Sequence, residues 1–120
     1  MWTYKVDTGE AVDEAGKVHA GSYSGHGEGR NNPAMEAVHD VGPIPRGQYI
    51  IHPPVDTQEH GPFVLALTPA DNRSRYGRGG FLWHGDSKAA PGTASKGCIV
   101  SPHDVRVTVW GSGDRWLLVR

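Results

Sequence analysis

The chain has 120 residues and a formal net charge of −1, which suits one domain spanning 1–120 and leaves no room for two cores. With 17 glycines and 9 prolines it is rich in turns, but the low net charge argues against disorder. The near-neutral balance excludes a nucleic-acid binder, the short apolar runs exclude membrane insertion, and the single cysteine excludes a disulfide framework or a multi-cysteine zinc site.

In chain order, Val and aromatic residues fall in short runs cut by Gly and Pro, a mostly β pattern. Trp2–Val6 alternates as a strand. Glu10–Val12 and Lys17–Ser22 flank Asp13-Glu14-Ala15-Gly16, a hairpin turn. Asn32-Pro33 predicts a helix cap, with Ala34–His39 as about two turns. Arg46–His52, Phe63–Thr68, Gly80–Trp83 and Arg115–Val119 read as further strands. Ser101-Pro102-His103-Asp104 repeats the cap signal and predicts a helix over 102–110, although Val105, Val107 and Val109 alternate as in a strand. Residues 23–34 and 69–79 read as long loops.

Chemistry concentrates in Phe81-Leu82-Trp83-His84-Gly85-Asp86-Ser87 and Ala94-Ser95-Lys96-Gly97-Cys98-Ile99-Val100. A histidine ends an apolar strand, and a cysteine follows Ser-Lys-Gly. An imidazole can take a thiol's proton and so create a nucleophile. Gly97 permits a tight turn, after which the amides of Gly97 and Cys98 can converge on one oxyanion. Cys98 can equally be a small buried hydrophobe. An activated thiol is expected to alkylate well below pH 8, and an inert one is not.

These two segments resemble the signature of L,D-transpeptidase (YkuD-type) catalytic domains, a His followed by Ser/Thr-x-Gly-Cys. Tyr23-Ser24-Gly25, Asn31-Asn32-Pro33 and Gly42-Pro43-Ile44-Pro45-Arg46-Gly47-Gln48-Tyr49 make the chain similar to the L,D-transpeptidase-related effectors of type VI secretion, called Tlde, from about residue 3 to the C-terminus. The resemblance implies a mostly β, sandwich-like domain with the cysteine at the floor of a groove. It implies an antibacterial enzyme, an L,D-carboxypeptidase or L,D-transpeptidase, acting on peptidoglycan stem peptides without a cofactor. Cys98 is then the nucleophile and His84 the base, with oxyanion donors around Lys96–Cys98. Two positions depart from the pattern. Lys96 stands where many relatives carry His, and Val100 where many carry an acceptor-organising Arg.

Other residues carry more than one reading. Ser95 either bonds within the turn or touches substrate. Asp86 can orient the imidazole or cap a loop, and Tyr23 can line the groove or pack in the core. Arg73, Arg75 and Arg78 flank Tyr76 and are candidates for stem carboxylates. Gly42–Gly47 reads as a Pro-fixed strand entry. Seven histidines (19, 26, 39, 52, 60, 84, 103) raise a metal site, but no His-Glu-x-x-His occurs and no metal is expected. Rival readings are a non-catalytic cell-wall binding module and a housekeeping L,D-transpeptidase.

Residues 1–20 carry charges and no apolar stretch, so no signal peptide is predicted. The effector resemblance then implies storage in the producer's cytoplasm, delivery by the type VI machinery to a target-cell periplasm, and a cognate immunity protein.

Overall fold

A computed structural model describes residues 1–120. Ten strands and one helix follow in order: β1 (Trp2–Lys5), β2 (Glu10–Val12), β3 (Val18–His19), β4 (Tyr23–Ser24), β5 (Gly47–Ile51), β6 (Val55–Thr57), β7 (Gly61–Pro69), β8 (Leu82–His84), β9 (Ile99–Val100), α1 (His103–Gly111) and β10 (Trp116–Val119). The strands join in the order β3-β2-β1-β10-β5-β7-β8-β9-β4, with β6 against β7.

The nine-residue β7 connects the two halves. Its C-terminal part pairs with β5, Ile51 opposite Leu67, and its middle pairs with β8, Leu65 opposite Trp83. Side chains from both halves enter one core. Trp2, Tyr4, Tyr49, Ile51, Leu117 and Val119 meet Leu65, Trp83 and Ile99, and Val105 and Val109 of α1 complete the cluster. The Tyr4 and Trp83 rings meet edge to face at 6.5 Å, a favoured aromatic geometry. A sheet folded over a shared core is the sandwich-like, mostly β arrangement that the sequence implies.

Most predicted elements are present with shifted ends, and β7 extends beyond the predicted Phe63–Thr68 at both ends. The β2–β3 hairpin closes over Asp13–Gly16, with the Asp13 amide donating to the Lys17 carbonyl at 3.0 Å. Helix α1 prevails over the strand alternative at 102–110. Its start differs: Pro102 occupies the cap without a side-chain bond. Ser101 instead turns inward, where its Oγ accepts from Trp83 Nε1 at 2.7 Å and shares a hydrogen bond with Ser22.

The predicted helix at 34–39 is corrected. Asn32 does cap, accepting from the Ala34 amide at 3.2 Å, but only a 3-10 turn, Pro33–Met35, forms. The Glu36 carbonyl accepts from Arg78, and Asp40 takes a positive φ of 62°, so the chain cannot continue helically. The predicted loop 23–34 contains strand β4, which pairs with β9, Tyr23 opposite Val100.

Candidate active site

Strands β8 and β9 run parallel, with Trp83 opposite Ile99 and His84 opposite Val100. Side chains alternate along each strand. Trp83 and Ile99 point into the core, which sends His84, and Cys98 just before β9, to the other face. There both line one recess of about 290 Å³, together with His60, Lys96 and Gly97. A larger recess of about 840 Å³ adjoins it and shares Glu59, His60, His84, Thr93 and Ala94; it also holds Tyr23, Asp86, His103 and Arg106.

His84 is 1% exposed. Its Nδ1 lies 2.7 Å from the Gly85 carbonyl. A carbonyl only accepts, so Nδ1 carries the proton and Nε2 presents its lone pair. Nε2 is buried and makes no hydrogen bond. Burial holds this imidazole below its ordinary 6.5, and the charges of His60 and Arg106 act in the same direction. The ring is therefore neutral at neutral pH, with its basic nitrogen free.

Cys98 is a free, half-buried thiol. Burial pushes it above its ordinary 9.0, against the pull of the Leu82 backbone N–H and of Arg78. Thiol up and imidazole down together favour a neutral resting pair over a thiolate–imidazolium pair. The resting thiol is therefore not preformed as a thiolate.

The turn before Cys98 is held by hydroxyls. Ser95, wholly buried, donates to the Cys98 carbonyl at 2.7 Å and accepts from the amides of Gly25 (2.9 Å) and Gly97 (3.2 Å). Ser24 Oγ also donates to the Cys98 carbonyl, at 2.9 Å, and accepts from the Ile44 amide. Ser95 thus braces the turn. The Gly97 amide, expected at the oxyanion, is spent on Ser95. Lys96 is exposed. Gly97 has φ +125°, and a Cβ there would strike the Arg78 guanidinium, so only glycine fits.

Tyr23 and Asp86 come together, but not on the imidazole. Tyr23 Oη donates to Asp86 at 2.6 Å and accepts from the Ala94 amide at 3.0 Å. Asp86 also accepts from the amides of Ser87 (2.8 Å) and Gly92 (3.0 Å). The pair pins the 86–94 loop along the larger recess, and orienting His84 falls to the Gly85 carbonyl. Burial and the Asp86 carboxylate push the Tyr23 phenol up to about 12.

The three arginines of the 73–78 segment separate. Arg73 is exposed, Arg75 pairs with Asp71 at 3.1 Å, and Arg78 is buried. No three His, Cys, Asp or Glu side chains gather as metal ligands. Sequence reasoning missed His60, whose ring stacks on His84, and Arg106. Arg106 is 4% exposed and donates to the carbonyls of Pro62, Phe63 and Ser101. The one available signal for Arg106 was an arginine on the apolar side of a helix, between Val105 and Val109.

The sequence profile of the Tlde1 domain matches residues 18–112. The chain belongs to the Tlde1 domain family. That family comprises type VI secretion effectors of L,D-transpeptidase type, and its matched span contains His84 and Cys98. No curated protein matches the chain. Among solved structures it is similar to Bd1075 of Bdellovibrio bacteriovorus, with a TM-score of 0.64 and 12% identity. The match covers 100% of this chain and 47% of that one, so this chain spans about half the length of its structural relative. At that identity the likeness is one of fold. The Tlde1 domain here therefore rests on its own sequence match.

Proposed function

We propose that this Tlde1 domain cleaves peptidoglycan stem peptides through a Cys98 thioester, as an L,D-carboxypeptidase that also exchanges D-amino acids. The observation that carries the reading is the unbonded, buried Nε2 of His84 in the same recess as the Cys98 thiol.

The neutral pair dictates the order of proton movement. As Sγ attacks the carbonyl between meso-diaminopimelate and the terminal D-Ala, its proton passes to Nε2. The amides of Lys96 and Cys98 are the candidate donors to the oxyanion, since that of Gly97 is engaged. Collapse breaks the C–N bond, and the imidazolium returns its proton to the departing D-Ala nitrogen. A thioester remains on Cys98. Water then yields the shortened stem and the free thiol; a D-amino acid or another stem's amine yields exchange or a 3–3 cross-link. The smaller recess takes the scissile end, and the larger one runs on along Tyr23 and Asp86 for the rest of the stem. Val100 stands where an Arg would organise an acceptor, which favours water.

The place of action follows from the substrate. Stored in the producer's cytoplasm, the enzyme meets no peptidoglycan; delivered to a competitor's periplasm, it does, and a cognate immunity protein protects kin. Expression in a Gram-negative host with and without a fused export signal tests this reading. Growth arrest is expected only with export, and not in Cys98→Ala. Arrest without export, or none after verified export, contradicts it.

A further inference from the structure

Arg78 is 7% exposed, yet no carboxylate pairs with it. Its Nη1 donates to the carbonyls of Glu36 and of Pro43 (2.8 Å), and its Nη2 to those of Gly42 (2.9 Å) and Lys96 (3.3 Å). A buried cation is costly unless its protons are all engaged. Here one planar fork ties the 36–43 segment to the turn that carries the cysteine. The fit is close enough that Gly97 admits no side chain against the guanidinium. The positive charge is thus fixed one residue from Cys98, hydrogen-bonded by backbone carbonyls alone, with Asp40 and Glu36 acting on it through space.

We propose that Arg78 is a positioning residue for Cys98: its unpaired, buried guanidinium holds the Lys96–Gly97 turn in place and stabilises negative charge on the sulfur as it forms. The recess around Cys98 also presents Asp40, Glu59, His60, His84 and Lys96. Of these, Glu59 opposes a thiolate, in the sense opposite to Arg78. The proposal rests on Cys98 as the nucleophile but not on any substrate. A thiol readout therefore tests it apart from turnover.

The test is the pH dependence of Cys98 alkylation by iodoacetamide in the folded protein. In Arg78→Gln the midpoint is expected to rise by about one pH unit. Below the midpoint the thiolate fraction then falls about tenfold, and the alkylation rate about threefold, because a more basic thiolate is more nucleophilic. Arg78→Lys keeps the charge and should recover more than half of the shift. Arg46→Gln removes one positive charge from an exposed site on the adjoining segment and should leave the midpoint in place. A native-like Arg78→Gln with the wild-type midpoint overturns the proposal, as does an equal shift in Arg46→Gln. Should Arg78→Gln not fold, 15N-guanidinium spectra of the unaltered chain decide. The Arg78 resonance should titrate with the Cys98 midpoint and be flat in Cys98→Ala. A flat Arg78 resonance in the unaltered chain overturns the proposal.

Discussion

The imidazole of His60 stacks on that of His84, with ring centroids 4.2 Å apart and planes tilted by 27°. His60 comes from the turn between β6 and β7, where its amide is held by Thr57 Oγ1 at 2.8 Å. One ring thus roofs the other and excludes water from the proposed base. Removing the roof in His60→Ala lessens the burial and the like charge that hold His84 below 6.5. The acid limb of the activity profile should therefore move to higher pH, towards 6.5. His60→Phe keeps the cover and should shift it less. A limb unmoved in His60→Ala would show that the stack has no bearing on the base.

The same two groups shape stability against pH. A buried neutral His84 binds its proton less readily than in the unfolded chain. Stability is therefore lost as pH falls below the unfolded imidazole value of about 6.5. Cys98 has the opposite case: the fold retains its proton, so stability declines as pH rises past the ordinary thiol value. Urea denaturation across pH should show the alkaline decline weakened in Cys98→Ala and the acid decline weakened in His84→Gln.

Arg106 braces the start of β7, just after His60. Its Nη1 lies 2.8 Å from both the Pro62 and Phe63 carbonyls, and Gly85 leaves no room for a side chain beside it. Arg106→Met strands these acceptors and should cost about 2–4 kcal/mol in chemical denaturation. A loss below 1 kcal/mol would show that water replaces the guanidinium there.

The fate of the acyl group bears on Val100, which is buried beside His84. With muropeptides as substrate, tetrapeptide stems should become tripeptides, with D-amino acid exchange second. Mass analysis showing 3–3 cross-links as the dominant product would mean that an Arg at this position is not what organises the acceptor.

Much of this site was legible before any fold was known, because its catalytic candidates sit in contiguous words. Trp83-His84-Gly85 and Ser95-Lys96-Gly97-Cys98 announce a strand end and a tight turn, and the structure brings them side by side. The longer strands were legible from apolar runs bounded by Pro or Gly, as at Phe63–Thr68 within β7. The two-residue strands β4 and β9 were not, since two residues carry no period; Ser24 and Ser95 both donate to the Cys98 carbonyl beside the pair. The short helix at 34–39 failed for a nonlocal reason, the capture of the Glu36 carbonyl by Arg78, 42 positions away. His60 and Arg106, and the part Arg78 plays, stayed hidden for the same cause. Their roles depend on which carbonyls and rings the folded chain places around them, and no spacing encodes that.

The central claim is an acyl-enzyme on Cys98, and intact-protein mass spectrometry tests it most directly. Mixed briefly with tetrapeptide stems in the presence of a chelator, the protein should gain the mass of one tripeptide acyl group, located at Cys98 and released by hydroxylamine. His84→Ala should form this adduct on the order of a hundredfold more slowly, and Cys98→Ala should form none. Stem cleavage that persists in Cys98→Ala, or cleavage by the unaltered protein that is abolished by the chelator, would contradict the account.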